Sequence, residues 1–157
     1  MKKVFVSIPL KGRSKEDIQD SLDRIKAAVE GLLDTEVEIL HQDVKDLPDF
    51  GGEEDADDNL EFLGKDIALM TDADYFATID YNWDYRHCSL EEDIFRRYKN
   101  IDKPYPDGQD NMFRFSTNII APDIVKKERE LAEKMFKLEF PEGDKAESIY
   151  DERNTQD

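Results

Sequence analysis

Apolar residues along the chain fall into two rhythms, short dense runs and helical periods, and these alternate from the first residues onward. "KVFVSIP" is a continuous apolar run of the kind that makes a strand buried on both faces. Pro9 and Gly12 then mark a loop. Ser14, with Asp17 three residues on, resembles a capping box that uses Asp in place of the usual Glu. Ile18, Leu22, Ile25, Val29 and Leu32 follow at helical spacing and predict a helix to about Leu33. "EVEILH" alternates and predicts a second strand. Pro48, Gly51, Gly52 and a dense acidic run make 42–58 a loop. Leu60, Leu63, Ile67 and Met70 share one helical face and predict a second helix from Asn59 to about Thr71. "ADYFATI" reads as a third strand and "DYNWDYRHC" as the loop leaving it. "HCSLEEDIFRRY" opens a third helix, with Leu90, Ile94 and Tyr98 on its apolar side. "NMFRFSTNIIA" holds a fourth strand, and Pro122 suits the first turn of a last helix with Ile124, Leu131, Met135 and Leu138 facing inward.

The order β-α-β-α-β-α predicts a single-domain α/β fold: a parallel sheet with helices on both faces, three-layered and Rossmann-like or flavodoxin-like, with an irregular final third. The domain is expected over 1–140, with 141–157 a loose tail that has little to bury. In such sheets ligands bind beyond the carboxyl ends of the strands. Those ends correspond to the loops 9–14, 42–58 and 80–89.

Composition narrows the partners. Among 157 residues, 39 acids oppose 22 bases, a formal charge of −17 that repels nucleic acid and anionic membrane. A small phosphorylated ligand needs only a local positive pocket and stays compatible. The one cysteine, Cys88, cannot form an internal disulfide and fits a reducing compartment. The basic start and short apolar run lack a cleavage site and read as a strand, and no apolar stretch is long enough to span a bilayer. The expected location is cytoplasmic.

Chemistry concentrates in "HCSLEED". Ser89 suits an N-cap, and Glu92, three residues later, completes a capping box. That leaves Glu91 unassigned in the first turn, where helix dipoles favour the ionised form that a nucleophilic carboxylate needs. In "PLKGRSKED", Gly12 suits a positive φ, Arg13 offers a fork of donors and Ser14 sits among unpaired backbone N–H groups. The loop is thus either a plain βα turn or a seat for a 5′-phosphate or 5′-hydroxyl. Trp83, with Tyr81 and Tyr85 nearby, either stacks on a base or sugar or packs under its own loop. His87 and Cys88 lack a second ligand pair, so no metal site is expected, and chain neighbours seldom point at each other. "DFGGEEDADDN" fails the spacing of a calcium loop and reads as a solvated acidic loop or a lid.

Three pieces, in this order and spacing, resemble the nucleoside 2-deoxyribosyltransferase family, including the related 2′-deoxynucleoside 5′-phosphate N-hydrolases. They are "SIPLKGRS" after the first strand, "DIALMTDADYF" leading into the third, and "RHCSLEED" at a helix start. The resemblance covers about residues 3 to 98. It implies Glu91 as nucleophile on the anomeric carbon and Asp66 as the catalytic acid, a residue that spacing alone does not select. The candidate substrate-binding set is Ser7, Gly12, Arg13, Ser14, Trp83, Cys88 and Ser89. The implied reaction is cleavage or exchange of the N-glycosidic bond of a 2′-deoxynucleoside or its 5′-monophosphate. It would proceed by a retaining displacement through a covalent glycosyl-glutamate, with no metal and no organic cofactor. The resemblance also implies a homo-oligomer.

Two other readings stand beside it. His87 occupies a place where family members often carry glycine, and "KNIDKPYPDGQDN" replaces the usual apolar fifth strand. Both favour a non-catalytic module that holds a nucleotide on the same fold. The charge of −17 suggests a protein that imitates nucleic acid to occupy a basic partner.

Overall fold

The structure, a computed structural model, describes residues 1–48, 59–103 and 110–139. Four parallel strands form its sheet: β1 (Lys2–Ser7), β2 (Val37–Leu40), β3 (Tyr75–Ile79) and β4 (Met112–Phe115). Their spatial order is β2-β1-β3-β4. Val4 registers with Ile39 on one side and Tyr75 on the other, and Phe76 registers with Met112. The predicted strands are all present, and the α/β class is as expected.

The helices are α1 (Lys15–Leu33), α2 (Leu60–Met70), α3 (Arg86–Ile94), α4 (Thr117–Ile120) and α5 (Pro122–Glu139). Ser14 caps α1, its hydroxyl accepting the Asp17 N–H at 3.0 Å. Asp34, in the left-handed region at φ 54°, ends it. One sheet face carries Val4, Val6, Ala77 and Ile79, packed in one cluster with Ile18, Leu22, Ile25 and Val29 of α1. The other carries Phe5 and Phe76, joined by Met70 and by Phe95 just beyond α3. Phe76 stacks 5.9 Å from Phe5 and lies 5.3 Å from Phe95. Helices therefore cover both faces, as right-handed crossovers require for this strand order.

Contacts divide the chain into Met1–Pro122 and Asp123–Asp157. All the candidate site residues belong to the first unit. Of the second, the structure describes residues 123–139 only; the expected tail at 141–157 and the acidic loop at 49–58 lie outside the described residues. No helix among the described residues is long and apolar enough to cross a membrane.

Several helical faces differ from the pattern-based expectation. The buried line of α2 is Phe62, Asp66 and Met70, while Leu60 and Ile67 are exposed. The buried line of α3 is His87, Cys88 and Glu91, while Leu90 and Tyr98 are exposed. In both helices polar residues face inward, so choosing the face by its apolar residues rotates the helix wrongly. A π-helical turn at Phe95–Lys99 further shifts the register after α3. Leu32 near the end of α1 is exposed, as are Leu131, Met135 and Leu138 of α5.

Candidate active site

The chain leaves β1 toward β2 on one side, then returns to place β3 on the other. The switch point lies between β1 and β3, where open parallel sheets form their ligand crevice. Ser7 is the last residue of β1. Helices α2 and α3 bring Asp66 and Glu91 to the same end, and both acids are buried, at 3% and 1% exposure.

The Ser7 hydroxyl donates to Glu91 Oε1 at 2.8 Å, a bond between residues 84 apart in sequence. Glu91 Oε2 is buried and meets no donor among the described residues. Instead the Asp66 carboxyl lies close enough for a carboxyl–carboxyl hydrogen bond, which forms only when one of the two carries a proton. Burial, then the charge of Asp66, then that hydrogen bond push the Glu91 carboxyl well above its usual range; the Ser7 hydroxyl pulls the other way. Gln42, beyond β2, also holds Asp66. Its amide donates to Asp66 Oδ1 at 2.7 Å and to the Phe62 carbonyl at 3.0 Å.

This corrects the expected origin of Glu91's character. The helix begins at Arg86, with Tyr85 as its N-cap, so Ser89 is not a cap and Glu91 is not in the first turn. Helix dipoles weaken beyond that turn. Burial and a second acid dominate, and they favour a retained proton rather than ionisation. Glu92 pairs with Arg114 and lies 3.8 Å from Arg96 instead of closing a capping box.

Histidines complete the group. His87 Nε2 donates to the Ile8 carbonyl at 3.0 Å and lies 3.4 Å from Cys88 Sγ. The adjacent pair does converge, contrary to expectation, because both side chains point into the protein at the first turn of α3. Phe62 meets the His87 ring edge-on at 6.0 Å. His41, the chain's other histidine, feels the charges of Asp66 and His87; burial lowers its imidazole. Its Nδ1 donates to the Gln42 carbonyl at 2.8 Å. His41 and Gln42 were missed in the sequence, although their place at the carboxyl end of β2 was a usable signal.

The remaining candidates are distributed as follows. Gly12 takes φ 68°, a conformation that favours glycine. Arg13 turns inward, donating to the Pro9 carbonyl at 2.9 Å, the Asp17 carbonyl at 3.1 Å and Ser21 Oγ at 2.6 Å. Its fork thus braces the turn instead of reaching out from it, and the Ser14 hydroxyl caps α1. Trp83 and Tyr81 are exposed and meet edge-to-face at 5.0 Å. Cys88 is fully buried beside Glu91. Ser89 is exposed, lining an open cleft of about 690 Å³ with Arg96, Arg97 and Arg114. The fold therefore gathers Ser7, Asp66, Cys88 and Glu91 and leaves Ser89 outside the group.

Compared with protein-family models, with curated proteins and with solved structures, the chain gives no match in any of the three.

Proposed function

We propose that the protein cleaves or exchanges the N-glycosidic bond of 2′-deoxynucleosides or their 5′-monophosphates, through a covalent ester on Glu91. One observation carries this reading: two buried acids from separate helices meet at the switch point of a parallel sheet, one of them held by Ser7. Two carboxylates in unlike surroundings are the minimum equipment for a retaining displacement at an anomeric carbon.

Burial holds a proton on Glu91 at rest, so the reaction first requires that proton to move to Asp66. Glu91, then anionic, attacks C1′ while the C1′–N bond breaks. The Asp66 proton passes to the departing nitrogen. Ser7 holds Oε1, which leaves Oε2 as the attacking oxygen. Water then hydrolyses the ester, or a second base takes the sugar, with Asp66 receiving the proton in return. Deoxy substrates suit the scheme, because lacking an electronegative 2-hydroxyl eases the oxocarbenium character of the transition state. The exposed apolar residues of α5 agree with a homo-oligomer, which light scattering measures.

The test is incubation with purine and pyrimidine deoxynucleosides and their monophosphates, with and without an acceptor base, following free base by chromatography. Base release or exchange is expected, falling by several orders of magnitude in Glu91→Ala and by about 10²–10⁴ in Asp66→Asn. A 2′-fluoro-arabinosyl analogue, whose fluorine slows ester hydrolysis, is expected to add its sugar mass to Glu91. No base release from any of these substrates would end the reading. The non-catalytic reading draws on the His87 ring packed among Ile8, Phe62 and Cys88. It predicts thermal stabilisation by a nucleotide that persists in Glu91→Gln, with no product.

A further inference from the structure

Buried carboxylate oxygens without a donor are rare, and Glu91 Oε2 meets none among the described residues. The groups beside the Glu91 carboxyl are those a soft divalent cation selects. One ligating atom each from His87, Cys88 and Glu91 lies within 4.8 Å of the others, and all three residues are buried. Zinc holds sulfur at about 2.3 Å and imidazole nitrogen at about 2.0–2.1 Å, so a tetrahedral ion spaces its S and N ligands roughly 3.5 Å apart. Cys88 Sγ and His87 Nε2 already stand 3.4 Å apart. The Ile8 carbonyl oxygen, 3.0 Å from the same nitrogen, is a further donor at hand.

We propose that His87, Cys88 and Glu91 form a binding site for a thiophilic divalent cation, zinc above all, and that filling it withdraws Glu91 from glycosyl chemistry. Thiolate with imidazole selects zinc over magnesium or calcium, which prefer all-oxygen shells. The ligands shed their protons on binding, and the cation's charge then compensates the two adjacent acids directly. A Glu91 carboxylate that ligates the cation shares its charge with it and is a poor nucleophile toward a sugar. The inhibitory half of the proposal rests on the glycosyl-transfer reading; the binding half does not.

The full chain, stripped with chelator, is titrated with Co²⁺. A 1:1 complex with a thiolate-to-cobalt charge-transfer band is expected, bleached when Zn²⁺ displaces cobalt. Cys88→Ser should lose that band, and His87→Ala and Glu91→Gln should weaken binding by about tenfold or more. Metal-free thermal melts show that each variant is folded; Cys88→Ser, nearly isosteric, is the mildest. No charge-transfer band, or equal affinity in all three variants, would overturn the site and assign the binding to surface acids. Base release by the stripped protein, with and without one equivalent of Zn²⁺, tests inhibition. Loss of activity that His87→Ala relieves supports it, and bound zinc without inhibition overturns that half alone. If the stripped protein releases no base while the cobalt titration succeeds, the glycosyl reading falls and the metal site stands.

Discussion

Glu91 is the residue where burial and chemistry meet, and two predictions belong to it. Ser7→Ala removes the hydroxyl that donates to its Oε1. It should cost about 1–3 kcal/mol in denaturant unfolding. The second concerns pH. Glu91's folded pKa is raised well above the ordinary 4.5. Between those two values the folded state keeps a proton that the unfolded state has lost. Its stabilising contribution is thus complete below 4.5 and disappears as pH climbs through the folded value. The slope over that window is about −1.4 kcal/mol per pH unit. Glu91→Gln cannot titrate, so unfolding measured against pH should show the variant gaining on the parent across this window and holding a constant lead above it. A constant difference at all pH values would contradict the raised pKa. Glu91 stood out in the sequence because a capping box would leave it over. Its environment was invisible there: desolvation and the Asp66 charge come from residues that only folding brings close.

At the scale of single elements all three helices were legible, but the buried face was readable only for α1, for one reason. Every large residue on the buried face of α1 is apolar, so its period reads directly. Helix α2 buries Phe62, Asp66 and Met70, and α3 buries His87, Cys88 and Glu91. A functional acid on a core face mimics a solvent face. The correction is measurable by alanine substitution. Met70→Ala should cost about 2–5 kcal/mol, whereas Leu60→Ala, at 82% exposure, should stay within about 0.5 kcal/mol. Comparable losses at both positions would restore the original face. The Ser14 cap was read correctly because its signal is local, and Ser14→Ala should cost about 1 kcal/mol in the same assay.

For the whole molecule, the alternation of strand and helix identified the class, whereas the order β2-β1-β3-β4 depends on pairings between distant segments that no local pattern encodes. Charge acts at this scale as well. A formal −17 repels itself in the compact state more than in the expanded one. Raising sodium chloride from about 10 mM to about 150 mM shortens the screening length from about 30 Å to about 8 Å. The melting temperature should therefore rise, by about 2–4 °C for each kcal/mol relieved. A fall would mean that the ion pairs matter more than the excess. The full burial of Cys88 has a practical consequence too. The chain possesses one sulfhydryl, and it sits beside the carboxyl on which the chemistry is proposed to occur. A thiol reagent can reach it only when that neighbourhood breathes, so the rate of labelling times the local opening around Glu91 in the unaltered protein, without an introduced probe.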